Sequence, residues 1–307
     1  MELIVIALGG NAIARRNQHL TVNNQYQNID ATTKIIAKLA GKYRLVIVHG
    51  NGPQVGLLAL QNQAYFQVPA YPLDILVAQT QGMLGYMIGR SLQQHNNINK
   101  VVTVLTQIEV DEHDPSFSHP TKYIGPVYQP AQQQQLQAQY GWTFKKDGQY
   151  IRRVVPSSKP KTILELDIIQ QLLTNDAIVI CNGGGGIPVI KDAKGYKGIE
   201  AVIDKDLSAA KLATQLKADH LMILTDADAV YENWGTPEQT ALRHVTPERL
   251  KPLALDDGAI GPKVKSVIEF VEKTGNRAYI GTLSDIEALL DTTKGTIVSP
   301  SSGQSKE

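Results

Sequence analysis

Three apolar segments, each followed at once by a turn rich in glycine and asparagine, constrain the fold of this chain more than any other feature. They are residues 3–8 before Gly9-Gly10-Asn11, residues 45–48 before His49-Gly50-Asn51-Gly52, and residues 177–180 before the run from Cys181 to Gly186. Continuous aliphatic runs are typical of strands buried on both faces, as in a parallel sheet. We therefore predict one open α/β sheet with these turns at its carboxyl edge, where such sheets bind ligands.

The segments between the strands predict helices. Apolar residues recur at helical spacing from Ile29 to Ala40, and Gly41 follows as the expected glycine beyond a helix end. A long helix is predicted after Pro72. Three of its glycines share one face, and because glycine is costly in a helix, we expect a second helix to pack closely there, in the same subunit or across a dimer. They are Gly82, Gly85 and Gly89.

Residues 115–156 differ in character from their surroundings. They contain a glutamine-rich helix candidate at 131–139 and two short aromatic segments on either side of Asp147-Gly148, a strong hairpin signal. We interpret this stretch as a subdomain inserted on the sheet, in the position of a lid. Lys122 lies between Pro120 and Gly125 in a predicted loop that a lid could bring over a site.

Composition excludes several classes of protein. The 307 residues include 30 basic and 29 acidic side chains, so the net charge of +1 gives no basis for a nucleic-acid partner. The single cysteine, Cys181, excludes an intrachain disulfide and fits a reducing compartment. It follows a strand, which favours a small buried residue over a nucleophile. No apolar run could span a bilayer and the start lacks basic residues, so we expect a cytoplasmic protein without a membrane partner.

Two familiar types of site are not supported by the spacing. The run Gly183–Gly186 does not continue as G-x-G-x-x-G, and no G-x-x-x-x-G-K-[ST] occurs, so a dinucleotide oxidoreductase is excluded. The acidic stretch Asp111–Asp114, with His113 and nearby His119, could be a metal site or a solvated turn. Its spacing matches no metal pattern and favours the turn, so no metal ligand is assigned.

Two lysines at helix starts point to an anionic ligand. Lys205 precedes a helix that Asp206 could cap, and Lys263 follows Pro262 at the start of another. A cation at a helix N-terminus opposes the helix dipole unless an anion shares the site. Phosphate explains both lysines most simply. Asp206 could instead serve only as the cap.

Two further loops have open interpretations. In the loop from His49 to Gly56, backbone donors and the Gln54 amide suit a small planar anion or amide better than a metal, and His49 itself fits a structural role better than a catalytic one. Asp226 and Asp228 follow the strand at 221–225 and could serve a ribose or magnesium, or be turn residues.

Several segments, in this order, resemble the carbamate kinases, a branch of the amino acid kinase family. The resemblance covers nearly the whole chain. Taken together, these segments are specific to the family, whereas the glycines alone would not be. The matching stretches are 7–12, 49–56, 72–74, 80–82, 120–122 with 124–126, 153–157, 183–188 and 200–206.

The resemblance implies an open eight-stranded α/β/α sandwich, usually a homodimer, with a small protruding lid subdomain at about 115–156. It further implies a carbamate-side lobe at 1–177 and a nucleotide-side lobe at 178–307. The implied reaction is reversible, Mg²⁺-dependent phosphoryl transfer between ATP and carbamate, giving ADP and carbamoyl phosphate. We expect it to run toward ATP synthesis in the fermentation of arginine or a related compound.

The resemblance also implies roles for individual residues. Lys205 reaches the transferred phosphoryl group, Asp206 orients the lysines, Lys263 contacts the nucleotide phosphates, and Lys122 covers the substrate. The substrate-binding residues implied are Gly9, Gly10 and Asn11 for the transferred phosphate, and Gly50, Asn51, Gly52, Pro53 and Gln54 for carbamate. The nucleotide-binding residues implied are Gly184, Gly185, Thr225, Asp226, Asp228, Tyr231, Trp234 and Lys263.

The chain departs from the family before Lys263. Gly258-Ala259-Ile260, preceded by Asp256-Asp257, stands where the family usually has Gly-Ser-Met, which bears on the nucleotide contacts. Two other functions remain open on this fold: a kinase for another small carboxylate, and a non-catalytic sensor of nucleotide or carbamoyl phosphate. Retention of Lys122, Lys205, Asp206 and Lys263 favours an enzyme, because a sensor needs no complete set of charges.

Overall fold

A computed structural model describes residues 1–15, 18–255 and 260–301. The strands are β1 (Leu3–Leu8), β2 (Arg44–His49), β3 (Val101–Thr103), β4 (Gln107–Glu109), β5 (Lys122–Tyr128), β6 (Thr143–Asp147), β7 (Tyr150–Val155), β8 (Thr162–Ile163), β9 (Ile178–Ile180), β10 (Ile187–Asp192), β11 (Gly195–Gly198), β12 (His220–Leu224), β13 (Val230–Glu232), β14 (Thr240–Leu242), β15 (His244–Val245), β16 (Arg277–Gly281) and β17 (Thr296–Val298). The helices are α1 (Val22–Ile36), α2 (Gly52–Ala64), α3 (Leu73–Leu92), α4 (Gln133–Tyr140), α5 (Leu166–Thr174), α6 (Lys205–Gln215), α7 (Pro247–Leu250), α8 (Gly261–Thr274) and α9 (Ile286–Leu290).

The predicted mainly parallel sheet is confirmed. Its eight strands run in the order β15-β17-β16-β12-β1-β2-β9-β3. The pairs from β16 to β3 are parallel, whereas β17 is antiparallel to β16. Strand β1 lies between β12 and β2 and is buried along its whole length, as its continuous aliphatic sequence predicts.

Helices cover both faces of this sheet. Alternate residues of β1 belong to different cores, since Val5 and Ala7 pack with α5, α6 and α8, whereas Ile4 and Ile6 pack with α1 and α3. This arrangement is the expected α/β/α sandwich. Among the helices of the described part of the chain, none is long and apolar enough to cross a membrane.

The stretch from 115 to 156 forms a small sheet of its own, in the order β5-β7-β6. The predicted hairpin is confirmed, because Asp147 pairs with Tyr150 across a two-residue turn in which Gly148 has a φ of 63°. Lys122 is the first residue of β5 rather than a loop residue. The exact limits of the subdomain and the lobe division at residue 177 stay predictions.

Two predicted details of the helices are wrong. Helix α1 begins at Val22 and ends at Ile36, and the chain then continues to Gly41 through tight i→i+3 turns rather than as a helix. Within the described part of this subunit the glycines of α3 meet no other helix, so that alternative is wrong, whereas packing across a dimer stays a prediction. Gly85 instead faces β3, where a Cβ on this residue would lie 2.2 Å from Cγ2 of Thr103.

This contact predicts opposite effects for two alanine substitutions in one helix. Gly85→Ala should lower the free energy of unfolding by about 1–3 kcal/mol, because the added methyl overlaps Thr103. Gly89→Ala is the matched control: its Cβ would have no neighbour closer than 3.7 Å. That change should stabilise the protein by about 0.5–1 kcal/mol through helix propensity. Urea unfolding measures the free energy of unfolding of both variants. Equal effects of the two substitutions would contradict the contact between Gly85 and Thr103.

Candidate active site

Four adjacent strands, β12, β1, β2 and β9, end at the same edge of the sheet, and the turns that follow them meet there. Gly9 lies against the end of β12, where a Cβ would be 2.7 Å from the carbonyl oxygen of Leu224 and 3.3 Å from Cα of Thr225. This spacing leaves no room for a larger residue at position 9. The predicted gathering of glycine turns at the carboxyl edge is therefore confirmed.

A cleft of about 200 Å³ opens between these turns and the first strand of the small sheet. Lys122 and Lys205 both line it, and so do apolar side chains such as Val202 and Ile203. Several residues predicted to bind substrate share the same wall: Gly10, Gly50, Asn51, Gly52, Pro53 and Gln54, together with Gly184. Most of the predicted substrate residues thus surround one space of a size suited to a small anion, whereas Gly9 and Asn11 are not part of its lining.

A buried carboxylate joins two lysines beside this cleft. Nζ of Lys205 donates to Oδ1 of Asp206 at 2.5 Å, and Nζ of Lys263 donates to Oδ2 at 2.8 Å. Asp206 is 2% exposed. Helices α6 and α8 pack against each other and present the three residues in their first turns, so the bridge is held by two rigid elements.

The charges in this bridge support one another. Burial alone would raise the pKa of Asp206, but the ammonium groups of Lys205 and Lys263 outweigh it and hold that pKa well below its usual range. Burial, reinforced by repulsion from Lys263, lowers the pKa of Lys205 against the attraction of Asp206. For Lys263 burial also acts to lower the pKa, yet attraction by Asp206 prevails and raises it. Asp206 therefore remains a carboxylate at neutral pH and fixes the positions of both ammonium groups.

The cap of α6 is not Asp206, as one interpretation of the sequence had it, but Asp204. Its Oδ1 accepts hydrogen bonds from the backbone N–H of Asp206 at 2.9 Å and of Leu207 at 3.3 Å. Its Oδ2 accepts from Nζ of Lys122 at 2.5 Å. The sequence analysis gave Asp204 no role, because Asp206 is an equally good cap residue two positions later and helical periodicity does not fix the first turn that closely.

The glycine turn after β9 has a backbone that only glycine adopts easily. Gly184, Gly185 and Gly186 all have positive φ, and Cβ atoms on the first two would overlap the side chain of Asn51 and the carbonyl of Ile203. Gln81 of α3 secures this turn, because its Nε2 donates to the Gly183 carbonyl at 2.9 Å. No role for Gln81 was predicted, although it lies within the stretch 80–82 that carries the family resemblance.

Three polar or reactive side chains around these turns are held by burial or by a hydrogen bond within the protein. His49 is buried, its ring contacts the Gly50 carbonyl through Nδ1 at 3.0 Å, and burial lowers its pKa to about 4. Nε2 of Gln54 donates to Oε1 of Gln25 at 3.0 Å, which turns that nitrogen toward α1. Burial raises the pKa of the Cys181 thiol. The structural interpretations of His49 and Cys181 therefore hold.

Five of the predicted nucleotide residues follow β12, namely Thr225, Asp226, Asp228, Tyr231 and Trp234, whereas Gly184 lines the cleft itself. Asp226 is close enough to Lys263 to help raise the pKa of that lysine. Asp228 accepts a hydrogen bond from the Tyr231 hydroxyl at 2.7 Å, so it stabilises its own turn. The rings of Tyr231 and Trp234 lie 5.2 Å apart, and Trp234 is 68% exposed. Residues 256–259, where the sequence departs from the family, lie outside the described residues.

The acidic stretch after β4 forms a turn. Oδ1 of Asp111 accepts from the backbone N–H of His113 at 3.0 Å, and Oδ1 of Asp114 accepts from that of Ser116 at 2.8 Å. Within residues 1–15, 18–255 and 260–301, no group of three or more His, Cys, Asp or Glu side chains is placed to hold a metal ion.

Comparisons with known proteins agree with this geometry. The model of the amino acid kinase family matches residues 2–282. Carbamate kinase of Escherichia coli K12 is 56% identical over 299 residues, covering 97% of this chain and all of that protein. Carbamate kinase of Thermococcus kodakarensis is 44% identical, covering 97% of this chain and 99% of that protein. The structure of carbamate kinase from Giardia lamblia bound to AMP-PNP superimposes with a TM-score of 0.89 at 36% identity, covering 98% of this chain and 99% of that one.

The buried neutral His49 predicts a specific loss of stability in mild acid. The unfolded chain binds a proton at this residue below pH 6.5, whereas the folded protein resists it until about pH 4. The free energy of unfolding should therefore fall as pH decreases through this window, by about 3 kcal/mol in total.

Urea unfolding between these pH values tests the assignment. His49→Asn keeps an N–H donor near the position of Nδ1. It should make the free energy of unfolding depend less steeply on pH, even if it lowers stability at pH 7. His113→Asn, which changes an exposed histidine, is the control and should leave the slope unchanged. An unaltered slope in His49→Asn would show that His49 is not the group responsible.

Proposed function

The chain belongs to the carbamate kinase branch of the amino acid kinase family, and we propose that it transfers a phosphoryl group reversibly between ATP and carbamate, giving ADP and carbamoyl phosphate. The observation that carries this proposal is the bridge Lys205–Asp206–Lys263 beside a small cleft of glycine turns. It provides two fixed ammonium groups at a place where backbone N–H groups also converge.

These groups suit phosphoryl transfer. The transferred group carries its charge on three equatorial oxygens in the transition state, and catalysis consists mainly of positioning and charge stabilisation. An ammonium group has three N–H donors. After one is used on Asp206, Lys205 retains two for the transferred phosphoryl group, and Lys263 retains two for the nucleotide phosphates.

The turns supply the remaining donors. We assign the backbone N–H groups of Gly9, Gly10 and Asn11 to the transferred phosphate, and those of Gly50, Asn51 and Gly52 to carbamate, with Pro53 and Gln54 completing the wall. The side chain of Asn51 is held by Thr80, to whose Oγ1 it donates at 2.8 Å. Lys122 then contacts the carbamate or phosphoryl group from the lid. Exclusion of water by that lid would protect the phosphoryl group from hydrolysis.

The nucleotide is assigned to the other side of the bridge. Its phosphates would reach Lys263 and the glycine turn at Gly184 and Gly185, and its base would lie over residues 225–234, near Tyr231 or Trp234. Mg²⁺ would enter with the nucleotide, since phosphate oxygens and water are its usual ligands.

The wider setting is also a proposal. We propose a cytoplasmic homodimer with a carbamate-side lobe at 1–177 and a nucleotide-side lobe at 178–307. Exposed aromatic side chains on and before α3, Phe66 at 89% and Tyr86 at 61%, supply an apolar surface that a second subunit could cover. We further propose that the cell uses the reaction to make ATP from carbamoyl phosphate during fermentation of arginine or a related compound.

Formation of ATP from carbamoyl phosphate, ADP and Mg²⁺ tests the function directly, with a coupled luciferase signal. Lys205→Ala should lower kcat by about a thousandfold or more, because it removes a donor aimed at developing charge. Lys211→Ala, farther along the same helix and outside the cleft, is the control and should keep nearly full activity.

The outcomes separate the alternatives. A folded protein that binds ADP but forms no ATP would refute the kinase and support the sensor. Activity with acetyl phosphate instead of carbamoyl phosphate would indicate a kinase for another carboxylate.

The position of the base can be tested by fluorescence. The chain contains two tryptophans: Trp142 is buried in the small sheet, whereas Trp234 is exposed beside the proposed base site. ADP should therefore change the emission of the wild-type protein, and Trp234→Phe should abolish that change while retaining ADP binding by calorimetry. A full response in Trp234→Phe would place the base elsewhere.

A further inference from the structure

We propose that Asp204 is the positioning residue of the lid: its carboxylate holds Lys122 over the cleft while it caps the helix that carries Lys205. This inference rests on the proposed function and adds a residue to it. Asp204 acts through Lys122 and through the start of α6, and we assign it no contact with substrate.

The two oxygens of Asp204 have separate tasks. Oδ1 accepts the backbone N–H groups of Asp206 and Leu207, which fixes the first turn of α6. Oδ2 accepts Nζ of Lys122 at 2.5 Å. The carboxylate is 10% exposed, whereas the Lys122 side chain is 40% exposed, so the fixed partner is the aspartate. One carboxylate thereby sets the distance between the lid lysine and the helix that carries Lys205.

The chain before Asp204 is one of the places where the lid contacts the body of the protein, in addition to α2. The backbone N–H of Val202 donates to the Pro156 carbonyl at 3.0 Å, next to the end of β7. Glu200 accepts from Arg153 of the same strand at 3.4 Å. Alternate residues of this segment, at 200, 202 and 204, thus contact the small sheet. Among these three contacts, the one at Asp204 reaches a residue that lines the cleft.

This arrangement prepares Lys122 for an anion. An ammonium group that donates once to Asp204 keeps two N–H groups, and Lys122 lines the same cleft as Lys205 and Gly10. A long lysine side chain in water would otherwise adopt many rotamers, and an incoming substrate would have to order it. With Asp204 in place, most of that ordering precedes binding, which is how a preorganised site increases the rate.

The set of charges fits the same interpretation. Lys122, Lys205 and Lys263 face Asp204 and Asp206, so this cluster of five has a formal charge of +1. Each lysine has a carboxylate partner before any ligand arrives. An anionic substrate can then attract the ammonium groups without removing them from their carboxylates, because each retains further donors.

A double-mutant cycle tests the proposal. Asp204→Asn keeps an oxygen that can cap α6 but replaces the acceptor of Lys122 with a donor. It should lower kcat/KM for carbamoyl phosphate by about tenfold, and by less than about twofold in a Lys122→Met background, because the two side chains act together. Glu200→Gln removes the ion pair that Arg153 of the lid forms with the body of the protein, and it is the control. It should change kcat/KM by less than about twofold.

A merely structural cap would behave differently. Asp204→Asn would then resemble the wild type, and Asp204→Ala would lower activity by the same factor with or without Lys122. Either result overturns the proposal. Asp204→Ser, which can still cap the helix but cannot reach Lys122, serves as a second variant if Asp204→Asn fails to fold, and the same non-additivity is expected of it.

A measurement that needs no activity separates this inference from the proposed function. Acetic anhydride labelling followed by mass spectrometry compares Lys122 with Lys146, an exposed lysine of the same small sheet. Asp204→Asn should increase the labelling of Lys122 severalfold and leave Lys146 unchanged. If the wild type forms no ATP but this increase occurs, the kinase proposal fails and the positioning role stands. If labelling is unchanged in an active enzyme, the positioning role is refuted.

Discussion

A single carboxylate buried between two ammonium groups determines the chemistry that this site can perform. Asp206 would be costly to bury alone, and so would Lys205 and Lys263. Together they form a cluster in which the carboxylate is shared, so removal of Asp206 would leave two largely buried ammonium groups without this partner. Such clusters add little to folding stability compared with apolar packing. We therefore interpret this bridge as a functional arrangement, paid for by the large cores on both faces of the sheet.

The sheet explains why the bridge meets a cleft at all. Parallel strands bring the turns after β12, β1, β2 and β9 to one edge, and α2 begins there, in the turn that follows β2. Gly9 lies close to β12, and Gly184 lies close to Asn51. Because neither position has room for a side chain, the backbone itself forms this edge of the sheet. Charge then comes from Lys122 at the start of β5 and Lys205 at the start of α6, and the rest of the cleft is lined by turn residues and by apolar side chains such as Val202.

Much of this could be predicted from the sequence, and the exceptions have physical causes. Aliphatic runs that end in glycine identified the central strands, because burial on both faces leaves a continuous apolar pattern. The unusual placement of Lys205 and Lys263, which both oppose a helix dipole, predicted an anionic partner for each, and in the structure both lysines donate to Asp206. Asp204 was missed because local propensity cannot distinguish it from Asp206 as a cap. The role of Gln81 was missed because its partner, the Gly183 carbonyl, lies 102 residues away along the chain.

The ion pairs around the site differ in burial in a way that matches their tasks. Lys205 and Lys263 bind Asp206 with side chains 14% and 17% exposed, where water cannot compete well. In the ion pair with Asp204 the side chain of Lys122 is 40% exposed, and in the ion pair with Arg153 the side chain of Glu200 is 54% exposed. In each of these two pairs the other partner is nearly buried, Asp204 at 10% and Arg153 at 13%. The ion pairs between the lid and the body of the protein are therefore open to water on one side only, whereas the bridge beneath them is largely buried on both sides and holds its two ammonium groups more firmly.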